Sequence, residues 1–247
     1  MIRKVKNIIT SIFEHFKNIK KSQFEVSCEI RELLWSQIYH DSIRGKSFLE
    51  KTPFYIGRWA GNYTFFYVLN RVLSDYNPKN VLEFGLGETS KFISTYLENE
   101  LIESRHTIIE HDIEWISNFE NRFALSNRSN ILQLNLSEVS FQDHIKYTYE
   151  GIEQLENEIY DLYVVDGPYG SVKDSRTDIF NQLSKLTSTS EFIIIFDDTH
   201  RKGELDTLRK ILETLDSLNI KYQNITLDGS TSVSIIATEK YKYAISI

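Results

Sequence analysis

With 247 residues, 41% of them hydrophobic, the chain can bury one large core, and a single domain with an extension is its natural organisation. A formal charge of -7 argues against a nucleic-acid partner, whose footprint would be basic. One cysteine, Cys28, excludes an internal disulfide and a thiolate zinc cluster and fits a reducing compartment. No apolar run is long enough to span a bilayer, and the first residues lack an uninterrupted signal-peptide core, so a cytoplasmic protein is expected.

Residues 2–21 put Ile2, Val5, Ile8, Ile9, Ile12, Phe13, Phe16 and Ile19 on one helical face, with Arg3, Lys4, Lys6, Lys17, Lys20 and Lys21 elsewhere on the surface. Such a helix suits docking on the body of the protein or on a second subunit, which leaves a homo-oligomer open. It equally suits an anionic membrane, which would make the protein peripheral to the inner membrane face. Residues 22–43 read as a second helix with Val26, Ile30, Leu33, Leu34 and Ile38 on its buried side. Residues 1–50 are thus an N-terminal helical extension and residues 51–247 the main domain. Over residues 52–62, Pro53, Gly57 and Gly61 interrupt the periodicity, and Arg58 and Trp59 suit either a segment covering a pocket or a packed connector anchored by Trp59. Helical spacing resumes over residues 63–73, and Asn77-Pro78 ends it.

The stretch from Val81 to Ser90 is an apolar strand, a turn carrying Gly85 and Gly87, and the first turn of a helix with Phe92, Ile93, Tyr96 and Leu97 at helical spacing. A strand that feeds a glycine turn and a helix N-terminus lets a ligand approach backbone N–H groups at the positive end of the helix dipole. A second strand over residues 106–110 ends on Glu110, about twenty residues beyond the turn, where a carboxylate can accept ribose hydroxyls. His111 follows at once. Further strands are expected over residues 130–136, 160–166 and 191–198, with Ile179, Leu183 and Leu186 marking a crossover helix. The last two, over residues 220–227 and 232–238, are joined by Asp228-Gly229-Ser230, a hairpin signal. The fold class is therefore α/β: a doubly wound, mostly parallel seven-stranded sheet with an antiparallel C-terminal hairpin strand. Ligands of such sheets sit beyond the carboxyl ends of the strands, where Glu83, Glu110, Asp166, Asp197 and Asp198 converge.

Glu83, Gly85 and Gly87, with Ser90 where a dinucleotide fingerprint has its third glycine, form a pattern that resembles the first motif of class I S-adenosylmethionine-dependent methyltransferases. The resemblance covers roughly residues 80–240. It implies that the glycine turn wraps the methionine part of S-adenosylmethionine, that Glu83 faces its ammonium group, that Glu110 and His111 flank its ribose, and that Asn135 borders its adenine. The pattern of Asp166, Asp197 and Asp198 resembles that of cation-dependent O-methyltransferases, which implies magnesium. Asp198 stands where an amide is usual there, and the other reading uses Asp166, His200 or His111 as a metal-free base. The strings Ile109-Glu110-His111-Asp112, Val165-Asp166-Gly167-Pro168-Tyr169-Gly170 and Asp197-Asp198-Thr199-His200-Arg201 look like a bacterial group met among surface-polysaccharide biosynthesis enzymes, distantly similar to plant glucuronoxylan methyltransferases. That implies O-methylation of a sugar, uronate or glycan precursor, with Asp166, Asp197 and His200 facing the acceptor and Arg58, Trp59, Tyr169, Arg176 and Arg201 as its contacts. The rivals are a nicotinamide-dependent oxidoreductase, which the final hairpin and Ser90 disfavour, and a catalytically inactive fold serving as a binding module.

Overall fold

The computed structural model describes residues 2–141, 144–155 and 158–246, and the side chains of residues 2–12, of Arg58 and of Phe141 lie outside that description. In chain order the elements are α1 (Ile2–Ser42), α2 (Ser47–Glu50), α3 (Tyr63–Tyr76), β1 (Asn80–Phe84), α4 (Glu88–Asn99), β2 (Arg105–Glu110), α5 (Ile113–Glu120), β3 (Ser129–Gln133), β4 (Leu136–Phe141) and β5 (His144–Tyr149). They continue with β6 (Leu162–Val165), α6 (Ile179–Leu183), β7 (Ile193–Phe196), α7 (Lys202–Ser217), β8 (Tyr222–Asp228) and β9 (Ser232–Thr238). Seven strands form one sheet in the order β3-β2-β1-β6-β7-β9-β8. The first five are parallel, and β9 pairs antiparallel with both β7 and β8, as the Asp228-Gly229-Ser230 signal requires.

Alternation along the strands divides the core. Val81, Val164, Ile195 and Ile235 face one apolar cluster with α3 and α4, while Leu82, Phe84, Val165, Ile194 and Ile236 face another with α6 and α7. A sheet covered on both faces needs apolar residues at consecutive positions, which is why these strands read as short unbroken apolar runs. Strand ends are shorter than the sequence suggests: Asp166, Asp197 and Asp198 lie just past β6 and β7, at the edge where the parallel strands stop. The third strand ends at Gln133, and Leu136 begins an unforeseen β4–β5 hairpin that forms its own two-stranded sheet.

The N-terminal region departs from expectation. Residues 2–21 and 22–43 are one continuous helix, because no glycine or proline separates them. The side expected to be buried is open: Val26, Ile30, Leu33, Leu34 and Ile38 are all exposed. The body is instead gripped by the opposite side. Tyr39 is buried in the main core, Trp35 donates from Nε1 to the Asp228 carbonyl at 2.9 Å, and Glu32 accepts from the amides of Tyr63 at 2.7 Å and Ser230 at 3.0 Å. Tyr39, Ile43 and Leu49 share one cluster with Phe65, Phe66 and Phe92, so the extension and the sheet are one packed unit. Among the described residues no helix is long and apolar enough to cross a membrane.

Candidate active site

Beyond the carboxyl ends of β1, β2, β6 and β7 lies a cavity of about 630 Å³, a usual size for a small-molecule site. Two turns form its floor. Gly85 has φ +100°, a conformation L side chains rarely adopt, and its amide donates to the Ile109 carbonyl at 2.9 Å. The turn after β6 presses against it, so that a Cβ at Gly167 would lie 3.0 Å from the Gly85 nitrogen and 2.9 Å from the Tyr149 hydroxyl.

Gly87 is different in kind. Its φ of -167° is open to any residue, and a Cβ there would meet no protein atom within 4 Å. The fold does not require this glycine, and its bare backbone leaves room on the cavity wall at the N-terminus of α4. Gly87→Ala is therefore expected to cost no more than about 1 kcal/mol of stability, while weakening adenosylhomocysteine binding at least about tenfold. Thermal melts and titration calorimetry on the same preparation separate the two effects.

Glu110 ends β2 at the cavity wall, 6% exposed. Its Oε1 accepts from the amides of His111 at 2.6 Å and Asp112 at 2.9 Å, and its Oε2 accepts from the Leu86 amide at 3.1 Å. The carboxylate thus ties the second strand to the glycine turn and keeps a lone pair on Oε2 for a ligand hydroxyl. His111 lines the cavity with Nδ1 2.8 Å from Glu110 Oε1 and its ring 4.9 Å from that of Tyr169.

Asp166, Asp197 and Asp198 meet at the ends of β6 and β7, each offering an oxygen within 4.8 Å of the others'. A buried guanidinium sits among them. Arg176, 5% exposed, places Nη2 2.9 Å from Asp198 Oδ2 and 3.3 Å from Asp166 Oδ1, and donates from Nη1 to the Asp197 carbonyl at 3.2 Å. Arg201 adds a second cation, its Nη1 2.8 Å from the same Asp198 oxygen. Arg176 and Asp198 both hold positive φ, +58° and +61°, a cost of roughly 1–3 kcal/mol each that the surrounding packing must offset. Desolvation, only partly countered by Arg176, pushes the Asp166 carboxyl up to about 7, while its side chain keeps 23% exposure. Asp197 is pushed up for the same reason, with Asp166 and Asp198 adding repulsion, and its Oδ1 has no hydrogen-bond partner.

The oxygen donors are of the type a hard divalent cation takes, and the unpaired Asp197 oxygen is a free ligand. Yet Asp198 is already bonded to two guanidinium groups, and Arg176 supplies charge within the cluster. Arginine thus already neutralises part of the charge a cation would, while Asp197 Oδ1 stays without a partner.

Other expected site residues divide. Trp59, 98% exposed, lines the cavity from the segment over residues 52–62, which therefore covers the pocket and is not a connector packed on its tryptophan. That segment is fastened by the Tyr55 amide donating to Glu88 Oε2 at 3.1 Å and by Lys91 Nζ donating to the Pro53 carbonyl. Tyr169 and Arg201 also line the cavity, whereas the Arg58 side chain lies outside the described residues. Arg176, expected as a clamp for an anionic acceptor, is turned onto the acids. Glu83 is fully buried below the floor and outside the lining, its Oε2 2.9 Å from His106 Nε2 and its Oε1 without a hydrogen-bond partner. His200 is exposed and outside the lining, its Nδ1 taken by the Ser232 amide at 3.3 Å, and burial of its ring lowers its pKa. Asn135 is exposed and also outside the lining, because β3 has ended and the chain is entering the β4–β5 hairpin. Sequence reasoning missed Tyr149 and Trp115. Tyr149 arrives on the unforeseen hairpin, and Trp115 donates from Nε1 to the Leu86 carbonyl at 2.7 Å, clamping the glycine turn from α5.

The sheet order, the glycine turn after β1 and the antiparallel closing strand define the class I methyltransferase fold. No protein-family model and no curated protein sequence matches the chain. Among solved structures it is similar to an O-methyltransferase from Bacillus cereus in complex with SAH, at 14% identity and a TM-score of 0.51, over 81% of this chain and 90% of that one. A second similar structure is the O-methyltransferase TomG from Streptomyces achromogenes, involved in tomaymycin synthesis and in complex with SAM. It is 15% identical with a TM-score of 0.49, over 69% of this chain and 78% of that one. At these identities it is the fold that is shared.

Proposed function

We propose that this chain is an S-adenosylmethionine-dependent O-methyltransferase acting on a small polar acceptor of carbohydrate or glycan-precursor type. The observation that carries the reading is the pairing, across one cavity, of an open glycine cradle at Gly87 with a carboxyl at Asp166 whose pKa is about 7. When bound, the cofactor would supply an electrophilic methyl carbon to the acceptor oxygen, the bond to its sulfur breaking to leave the neutral thioether. Glu110 would accept from a ribose hydroxyl, the backbone at Gly87 would admit the cofactor chain, and Trp115 keeps the turn in place. Asp166, its carboxyl pushed up to about 7 by desolvation, takes the hydroxyl proton as the new oxygen–carbon bond forms. His200 does not line the cavity, so Asp166 is the candidate base.

A carbohydrate acceptor is supported by three other residues of the lining. The rings of Trp59 and Tyr169 offer faces for sugar C–H groups, and half-exposed Arg201 offers a cation to a uronate or phosphate. Within this reading Arg176 neutralises the acids, so no magnesium is needed. The test is transfer of a labelled methyl group to a panel of hexoses, uronates and sugar phosphates, with EDTA or with magnesium. Turnover on a sugar, unchanged by EDTA, is expected. Turnover abolished by EDTA and restored by magnesium would return the three acids to a metal, and turnover confined to catechols or other aryl hydroxyls would overturn the acceptor class.

A further inference from the structure

The N-terminal helix carries a pattern that the site does not use. At 41 residues α1 is about 60 Å long, and every residue from Phe13 to Ser27 is exposed. Contact with the body starts only at Cys28 and follows Arg31, Glu32, Trp35 and Tyr39, one side of the helix. The other side is apolar and open, with Phe16, Ile19, Val26, Ile30 and Leu33 between 40% and 71% exposed. An amphipathic helix gains most of its stability from covering its apolar side, and among the described residues none covers it from Phe13 to Ser27.

The spacing of that side is informative. Residues 2, 9, 16, 23 and 30 recur every seven positions, and residues 5, 12, 19, 26 and 33 repeat the interval three places on. All ten are Ile, Val, Leu or Phe except Gln23. A strict seven-residue repeat drifts about 20° per heptad around a straight helix, or about 80° from Ile2 to Ile30. That drift turns the stripe away from a flat surface such as a membrane, and suits a second helix that supercoils with it.

Charge selects the partner. Residues 2–21 carry Arg3, Lys4, Lys6, Lys17, Lys20 and Lys21 against Glu14, a net +5, whereas residues 22–42 carry Glu25, Glu29, Glu32 and Asp41 against Arg31, a net -3. The apolar stripe runs the whole way through both halves, so an anionic lipid surface would attract one half and repel the other. A second copy laid antiparallel sets residues 2–13, which carry Arg3, Lys4 and Lys6 and no acid, a net +3, beside residues 22–33, which carry Glu25, Glu29 and Glu32 against Arg31, a net -2. It also stacks Val5 on Ile30, Ile9 on Val26 and Phe16 on Ile19 of the second copy, leaving Gln23 against Ile12 as the one weak layer.

We propose that α1 mediates a homodimer through an antiparallel coiled coil, with the body of each copy on the outer side of the pair. Light scattering on the full chain at micromolar concentration should give twice the 29.0 kDa chain mass, and Ile19→Glu should raise the dissociation constant at least about 100-fold by forcing charge into the central layers. Because that variant could also unwind the helix, cross-linking decides the matter independently. In a Cys28→Ser background, Ile30→Cys alone should form no disulfide, while Val5→Cys with Ile30→Cys should give a covalent dimer. A monomeric wild type, a disulfide from Ile30→Cys alone, or a monomer that sediments with phosphatidylserine vesicles would each overturn the proposal. These readouts are independent of methyl transfer.

Discussion

Asp166→Asn is expected to lower kcat by about 10²–10⁴-fold, the range over which a positioned general base contributes, while adenosylhomocysteine affinity stays nearly unchanged. The wild-type rate should rise with pH through about 7, because the carboxyl must lose its proton to accept one from the acceptor and its pKa is raised to about 7 by desolvation. In the variant that limb disappears. Stability should move the opposite way. A carboxyl whose folded pKa is raised binds more protons folded than unfolded between its ordinary value and about 7, so its contribution to stability is present at low pH and lost as pH rises through about 7. Replacing it with a neutral amide removes that loss, and the variant should melt higher than the wild type at pH 8. Activity retained with its pH limb intact would remove Asp166 from the role of base.

Arg176→Leu is the second large effect, and it falls on the fold. The guanidinium is buried and bonded to Asp198, Asp166 and the Asp197 carbonyl, so its loss leaves three carboxyl groups facing one another. Removing one partner of a buried ion pair costs about 3–5 kcal/mol. The loss should be largest at pH 8 and shrink toward pH 5, because Asp166 and Asp197, already raised by burial, rise further without the arginine and take up protons that cancel the repulsion. Adding Asp198→Asn should restore part of the stability by removing one of the mutually repelling charges. Urea titrations at the two pH values measure both claims, and an equal loss at both would mean that Arg176 acts by packing alone.

Much of the fold was legible because sheet burial writes itself into short apolar runs. Phe192 to Phe196 and Leu162 to Val165 have no polar residue facing either cluster, and the Asp-Gly turn announced the antiparallel closure. The glycine turn, Glu110 and the strand-end acids were legible for a related reason: a parallel sheet puts its strand ends on one edge, so position in the sequence predicts convergence in space. Contacts made across that edge were not legible. Arg176 reaches the acids through a strained loop with no periodicity, and it could be read equally as a ligand clamp. His200 stands three residues past an acid that does line the cavity, yet the turn into α7 carries it to the rim. The β4–β5 hairpin, whose strands alternate polar and apolar side chains weakly, gave no clear period and so hid Tyr149. The long helix misleads differently, since its apolar side reads as buried whereas the residues that touch the body are Glu32, Trp35 and Tyr39.

The claim on which the function rests is that the cavity over Gly87 takes an adenosyl thioether, and isothermal titration with S-adenosylhomocysteine, with NADH as control, tests it most directly. The expected result is saturable one-site binding of adenosylhomocysteine that Gly87→Ala weakens at least about tenfold, and no binding of NADH. Preference for NADH, or binding of adenosylhomocysteine that Gly87→Ala leaves untouched, would contradict it.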